Sequence, residues 1–135
     1  MDTIEAIKQE LKEQVIPAKA EYFPKFFQAF PGGYGEGDQF LGVTVPSQRR
    51  VAKKYWRKIS LKEVEKLLQE PIHEYRLTAL FILVSKFEHL KNEAERKEIV
   101  DLYLNNLKFV NNWDLVDSSA DKILGRYLFD YDKEK

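Results

Sequence analysis

From Ser60 to Leu128 the apolar residues of this chain recur every three or four positions, and no segment sustains an alternation of apolar and polar residues. A period near 3.6 is that of an amphipathic helix, whereas a half-buried strand needs a period of two. The pattern therefore restricts the chain to helices packed on helices and predicts no strands. The helix boundaries are equally legible. Ser60-Leu61-Lys62-Glu63 is a capping box, in which a hydroxyl and a carboxylate satisfy amides that the first turn leaves without partners. Leu61, Val64, Leu67 and Leu68 supply the apolar stripe behind it. Pro71 is expected to open the next helix, with Leu77, Leu80, Phe81, Val84 and Phe87 along it. Asn92 precedes Glu93 and Glu95 as a further N-cap, followed by Ile99, Leu102, Tyr103 and Leu107, and Asn111 or Asn112 caps a last helix.

These segments form two hairpins, residues 60–68 with 71–87 and residues 92–107 with 113–128. Aligning Leu67-Leu68 with Tyr103-Leu104 sets them about 36 residues apart, close to the period of HEAT repeats. The expected fold is all-α, a HEAT-like solenoid of about six or seven helices with a concave face, and residues 1–135 form a single domain. Ahead of the hairpins, Ile4, Ile7, Leu11 and Val15 mark a helix over residues 3–14, and Pro17 opens a second. Phe23, Phe26, Phe27 and Phe30 follow as an aromatic cluster at helical spacing, assigned mostly to the core. The glycine-rich stretch from Pro31 to Asp38 lacks the Gly-Lys-Ser/Thr ending of a phosphate-binding loop and reads as a surface connection. Pro46 then starts a third helix.

Composition removes several classes of chemistry. There is no cysteine, so disulfides, thiolate metal sites and a thiol nucleophile are excluded. His73 and His89 fall in different segments without ligand spacing, so no zinc centre and no metal is expected. The longest strongly apolar run, Ala79 to Val84, suits a buried helix, and no run approaches the ~20 residues that span a bilayer. With a charged, periodic N-terminus in place of a signal sequence, the expected location is the cytoplasm.

The charge is balanced, 22 basic residues against 22 acidic, but it is not evenly spread. Arg49, Arg50, Lys53, Lys54, Arg57 and Lys58 fall within ten residues that contain no anion. On a helical wheel they fill one half-turn, and Val51, Ala52, Tyr55 and Trp56 fill the other, as core. Such a stripe suits phosphates bound with salt-dependent affinity, and it suits a solvated surface equally well. In the last helix Trp113 and Asp117 stand four residues apart on one face, at the edge of the apolar sector. An indole beside a carboxylate there is a seat for a cationic group, or else a core Trp beside a surface Asp.

Tyr34-Gly35-Glu36-Gly37-Asp38, Phe40-Leu41-Gly42-Val43, Pro46 and the Arg49/Arg50 pair before Ala52-Lys53 resemble the N-terminal signature of AlkD-like DNA alkylation repair enzymes. Pro71-Ile72-His73-Glu74 with Arg76 and Ala79-Leu80 is similar to their middle segment. Asn112-Trp113-Asp114-Leu115-Val116-Asp117 is similar to their catalytic helix. The resemblance implies a glycosylase that hydrolyses the N-glycosidic bond of cationic alkylpurines, such as N3-methyladenine and N7-methylguanine, in double-stranded DNA. By resemblance Asp117 stabilises the positive charge that builds on the sugar, and Trp113 contacts the lesion nucleotide. Arg49, Arg50, Lys53, Lys54, Arg57 and Thr44 bind DNA, Phe26 reaches the substrate, and neither cofactor nor metal is needed. The family usually continues for further C-terminal repeats, so by resemblance the chain is expected to be either the N-terminal part of such an enzyme or a truncated relative. Sequence alone sets no oligomeric state. The alternative reading is a non-catalytic DNA-binding or protein-binding HEAT-like scaffold.

Overall fold

The computed structural model describes residues 2–18, 39–89 and 92–106. Among them lie five α-helices and no strand: α1 (Thr3–Glu13), α2 (Val45–Tyr55), α3 (Leu61–Leu68), α4 (His73–His89) and α5 (Glu93–Asn105). The aromatic cluster from Phe23 to Phe30, the glycine-rich loop and the last expected helix lie outside the described residues.

Local chemistry sets most helix starts. Asp2 caps α1 by accepting from the Glu5 amide at 2.8 Å, and Asn92 caps α5 by accepting from Glu95 at 3.2 Å. Both halves of the Ser60–Glu63 capping box are formed, at 3.1 and 3.2 Å. Pro46 lies in the first turn of α2, which begins one residue earlier than its position implied. The start of α4 corrects the sequence expectation. It begins at His73, two residues after Pro71, because Ile72 forms an isolated parallel bridge with Gln39. The His73 amide, an orphan donor of the first turn, is taken by the Gln39 carbonyl at 2.7 Å.

Helix α4 is the axis of the packing. Thirteen of its 17 residues are buried, all round its circumference, so its hydrophobicity is not confined to one face. Ala79, Leu80, Ile82 and Leu83, from the longest apolar run, have no exposed surface. Around α4 pack α2, α3 and α5, while α1 lies against α2 and α3. The flanking helices contribute single stripes: Ile7 and Leu11 from α1, Val64, Leu67 and Leu68 from α3, and Ile99, Val100 and Tyr103 from α5. Asn106 ties α3 to α5 by donating to Glu65 at 2.8 Å and accepting from Gln69 at 3.0 Å.

One polar knot within this core sets where α2 begins. Glu74, fully buried in the first turn of α4, accepts from the amides of Leu41, Gly42 and Val43 at 2.9, 2.7 and 3.0 Å. Three amides converge on one carboxylate only because the backbone turns tightly, with Gly42 at φ 99°, where a Cβ would clash. The Gly42 carbonyl accepts from Ile16 at 2.8 Å, and the Gln48 side chain donates to the Val43 carbonyl at 3.0 Å. The stretch after α1, the 39–44 segment, α2 and α4 are thus bound at one point. His73 stacks on Phe40 beside it, with ring centroids 4.8 Å apart.

Candidate nucleic-acid interface

The knot delivers α2 to the surface in a fixed rotation. Val51, Ala52 and Tyr55 turn inward, and Arg49, Arg50, Lys53, Lys54, Arg57 and Lys58 remain exposed. The separation of charged and apolar halves expected from the wheel is present from Arg49 to Tyr55, but the helix ends there, and Trp56, Arg57 and Lys58 follow in a turn. Trp56 is only partly buried, and its indole stacks on the His89 ring with centroids 4.5 Å apart.

The six cations are held in different ways. The Arg49 guanidinium lies 4.5 Å from the centre of the Phe81 ring on α4, a cation–π contact. Arg50 donates to Ser47 at 3.0 Å and to Gln14 at 3.2 Å. Lys54 pairs with Glu10 of α1 at 2.5 Å, and the Tyr55 hydroxyl donates to the same oxygen at 2.8 Å. Arg57 lies 4.9 Å above the Trp56 ring, and Lys58 lies 5.5 Å from the Tyr55 ring. Lys53 has no partner among the described residues. Of the six, only Lys54 forms an ion pair within the described part of the chain, so the face retains most of its charge. Thr44 stands at the N-cap of α2, partly buried, and its hydroxyl donates to Ser47 at 3.2 Å instead of capping the helix.

Glu10 is the acidic counterweight to this face. Its hydrogen bond to Lys54 holds its carboxyl below the usual range, more than burial raises it. The same bond raises Lys54, and the bond to Glu10 raises the Tyr55 hydroxyl. A carboxylate with a depressed folded-state pKa stabilises the fold above its unfolded value, and that stability is lost as the pH falls through the folded value. Wild type should therefore exceed Glu10→Gln in stability at neutral pH, and the gap should close as the pH drops from about 4.5 downward, the ordinary value for such a group. Chemical denaturation of both proteins across that acidic range checks this, and a gap independent of pH would contradict it.

Between the C-terminal ends of α2 and α4 opens a cleft of about 590 Å³, lined by Lys53, Lys54, Trp56, Arg57, Lys58 and His89 among others. A smaller notch beside it, of about 160 Å³, is formed by Arg49, Ala52, Phe81, Val84, Ser85 and Glu88. Sequence reading missed the contribution of α4 to this surface. It also placed the two histidines in different segments, whereas both belong to α4, at its opposite ends. No local signal links Trp56 to His89 across 33 residues. Trp113, Asp117 and Phe26 lie outside the described residues. No group of three or more His, Cys, Asp or Glu among the described residues is placed to hold a metal ion. No helix among them is long and apolar enough to cross a membrane.

A family model described as DNA alkylation repair enzyme matches residues 7–135. The chain belongs to the DNA alkylation repair enzyme family. Comparison with curated proteins and with solved structures returned no match. The family match covers nearly the whole chain and includes both the basic helix α2 and the Asn112–Asp117 stretch. The match supports a role in DNA alkylation repair.

Proposed function

We propose that the chain is a DNA glycosylase of the AlkD-like type, or its N-terminal part, which hydrolyses the N-glycosidic bond of cationic alkylated purines in duplex DNA. In this reading residues 1–135 form one HEAT-like unit. The observation that carries it is the coincidence of the family match with an exposed basic face, of which only Lys54 forms an ion pair among the described residues. Alkylation at N3 of adenine or N7 of guanine places a positive charge on the base and weakens its bond to the sugar. As that bond breaks, positive charge develops on the deoxyribose, and a fixed carboxylate nearby lowers the barrier electrostatically. Asp117 is assigned this role, together with positioning of the attacking water, and Trp113 is assigned contact with the lesion nucleotide. Arg49, Arg50, Lys53, Lys54, Arg57 and Thr44 hold the DNA, and Phe26 approaches the substrate from the N-terminal region. The chemistry needs hydrolytic water, and this reading assigns no cofactor and no metal.

The experiment is to incubate the protein with methylated duplex DNA and follow both duplex binding and the purines released. Release of N3-methyladenine or N7-methylguanine, with binding that weakens as salt rises, is the expected result. Salt-sensitive binding without release would identify a non-catalytic DNA binder. Absence of salt-sensitive affinity would leave a protein-binding scaffold.

A further inference from the structure

The cleft between α2 and α4 holds more than permanent cations. No carboxylate lines it among the described residues, and Glu10 at its edge is engaged by Lys54 and Tyr55. His89 is exposed and packed face to face on Trp56, which fixes the plane of its ring. Its Nδ1 lies 2.7 Å from the Ser85 carbonyl oxygen. A carbonyl only accepts, so Nδ1 carries a proton in both charge states of the ring. The neutral ring therefore has a bare Nε2, which repels a phosphate oxygen, and the protonated ring has a donor there. Across the cleft stand Lys53 and Lys54 from α2 and Arg57 and Lys58 from the turn that follows it, and Glu88 precedes His89 on α4. An entering phosphate reverses the positive field that these cations create at the ring.

We propose that this cleft binds a backbone phosphodiester of duplex DNA, with Lys53 and Arg57 supplying permanent charge and His89 taking up one proton from solvent as the phosphate seats. The proposal rests on the DNA-repair reading of the basic face and extends that face from α2 onto α4. The occupant is an anion because cations dominate the lining, and the family makes DNA its source. Binding then couples to pH through the donor that a proton creates at His89 Nε2.

The test measures binding of an unmodified, fluorescently labelled duplex by anisotropy at constant salt, for wild type, His89→Gln and His89→Lys. Wild type should bind roughly three- to tenfold more tightly at about pH 6 than at about pH 8, the effect of adding one charge-assisted hydrogen bond to a phosphate. His89→Gln should bring that ratio close to one. His89→Lys, which carries a charge at both pH values, should also bring it close to one while binding more tightly than His89→Gln. A His89→Gln protein that keeps the wild-type ratio, or a wild type with no pH increment, overturns the proposal. Base release from methylated duplex is followed in parallel. Its absence beside intact pH-coupled binding counts against the glycosylase reading alone, whereas a missing pH increment beside normal release counts against the cleft alone.

Discussion

Glu74→Ala should lower the stability of the fold by about 3–5 kcal/mol, because it strands two buried amides and a part-buried one at once. Each donor that loses its only buried acceptor costs roughly 1–3 kcal/mol, and partial entry of water into the space left by the carboxylate keeps the sum below simple addition. A domain of ordinary stability has about 5–15 kcal/mol in total, so the loss is a large fraction of it. The knot is also where the 39–44 segment, α2 and α4 meet, through Leu41, Gly42 and Val43. Its failure should therefore loosen the seating of α2 and raise hydrogen exchange first at those three amides. Glu74→Gln keeps the volume and one acceptor oxygen but sets an NH₂ group against a donor, so it should cost less than alanine and still be destabilising. Chemical denaturation of the two variants measures this. A loss below about 1 kcal/mol for alanine would mean that the three bonds are replaced by water at little cost.

The second large effect is on chemistry. In the proposed glycosylase, Asp117→Asn should reduce release of alkylated purine by about 10²–10³-fold, a loss of some 3–4 kcal/mol of transition-state stabilisation. The size follows from Coulomb attraction between a carboxylate and a sugar cation, about 4 kcal/mol for charges 4 Å apart at an effective dielectric of 20. Asparagine has nearly the same shape, so duplex binding through the α2 cations should persist. Single-turnover release and anisotropy on the same protein samples separate the two quantities. Equal rates for wild type and variant would remove Asp117 from the reaction, and a parallel loss of binding would give it a structural role instead.

The parts of this molecule that are legible in its sequence are those whose causes are local. The Ser60–Glu63 capping box and the Asn92 cap involve residues three apart, and both form as their spacing predicts. The basic face of α2 is legible for the same reason as far as Tyr55, where the helix ends and the last two cations of the run pass into a turn. What is not legible depends on distant partners. Pro71 is an acceptable helix start by local rules, yet pairing of Ile72 with Gln39 moves the start to His73. Glu74 reads locally as a first-turn acidic residue favoured by the helix dipole, but its carboxylate is consumed by amides 31 to 33 residues earlier. Lys54 reads as one cation among six until Glu10, 44 positions away, is found beside it. Trp56 falls on the core side of the wheel, and only the arrival of the end of α4 shows it sharing a stack with His89. The catalytic assignment of Asp117 and Trp113 rests on their motif within the matched family range, not on any described geometry.

Removal of alkylated bases from DNA is tested most simply by quantifying free N7-methylguanine released from methylated duplex over time. Released base should accumulate above the spontaneous rate, in proportion to protein and less so as salt is raised. Folded protein that binds the duplex, yet leaves the release rate at its spontaneous level, would contradict the glycosylase assignment.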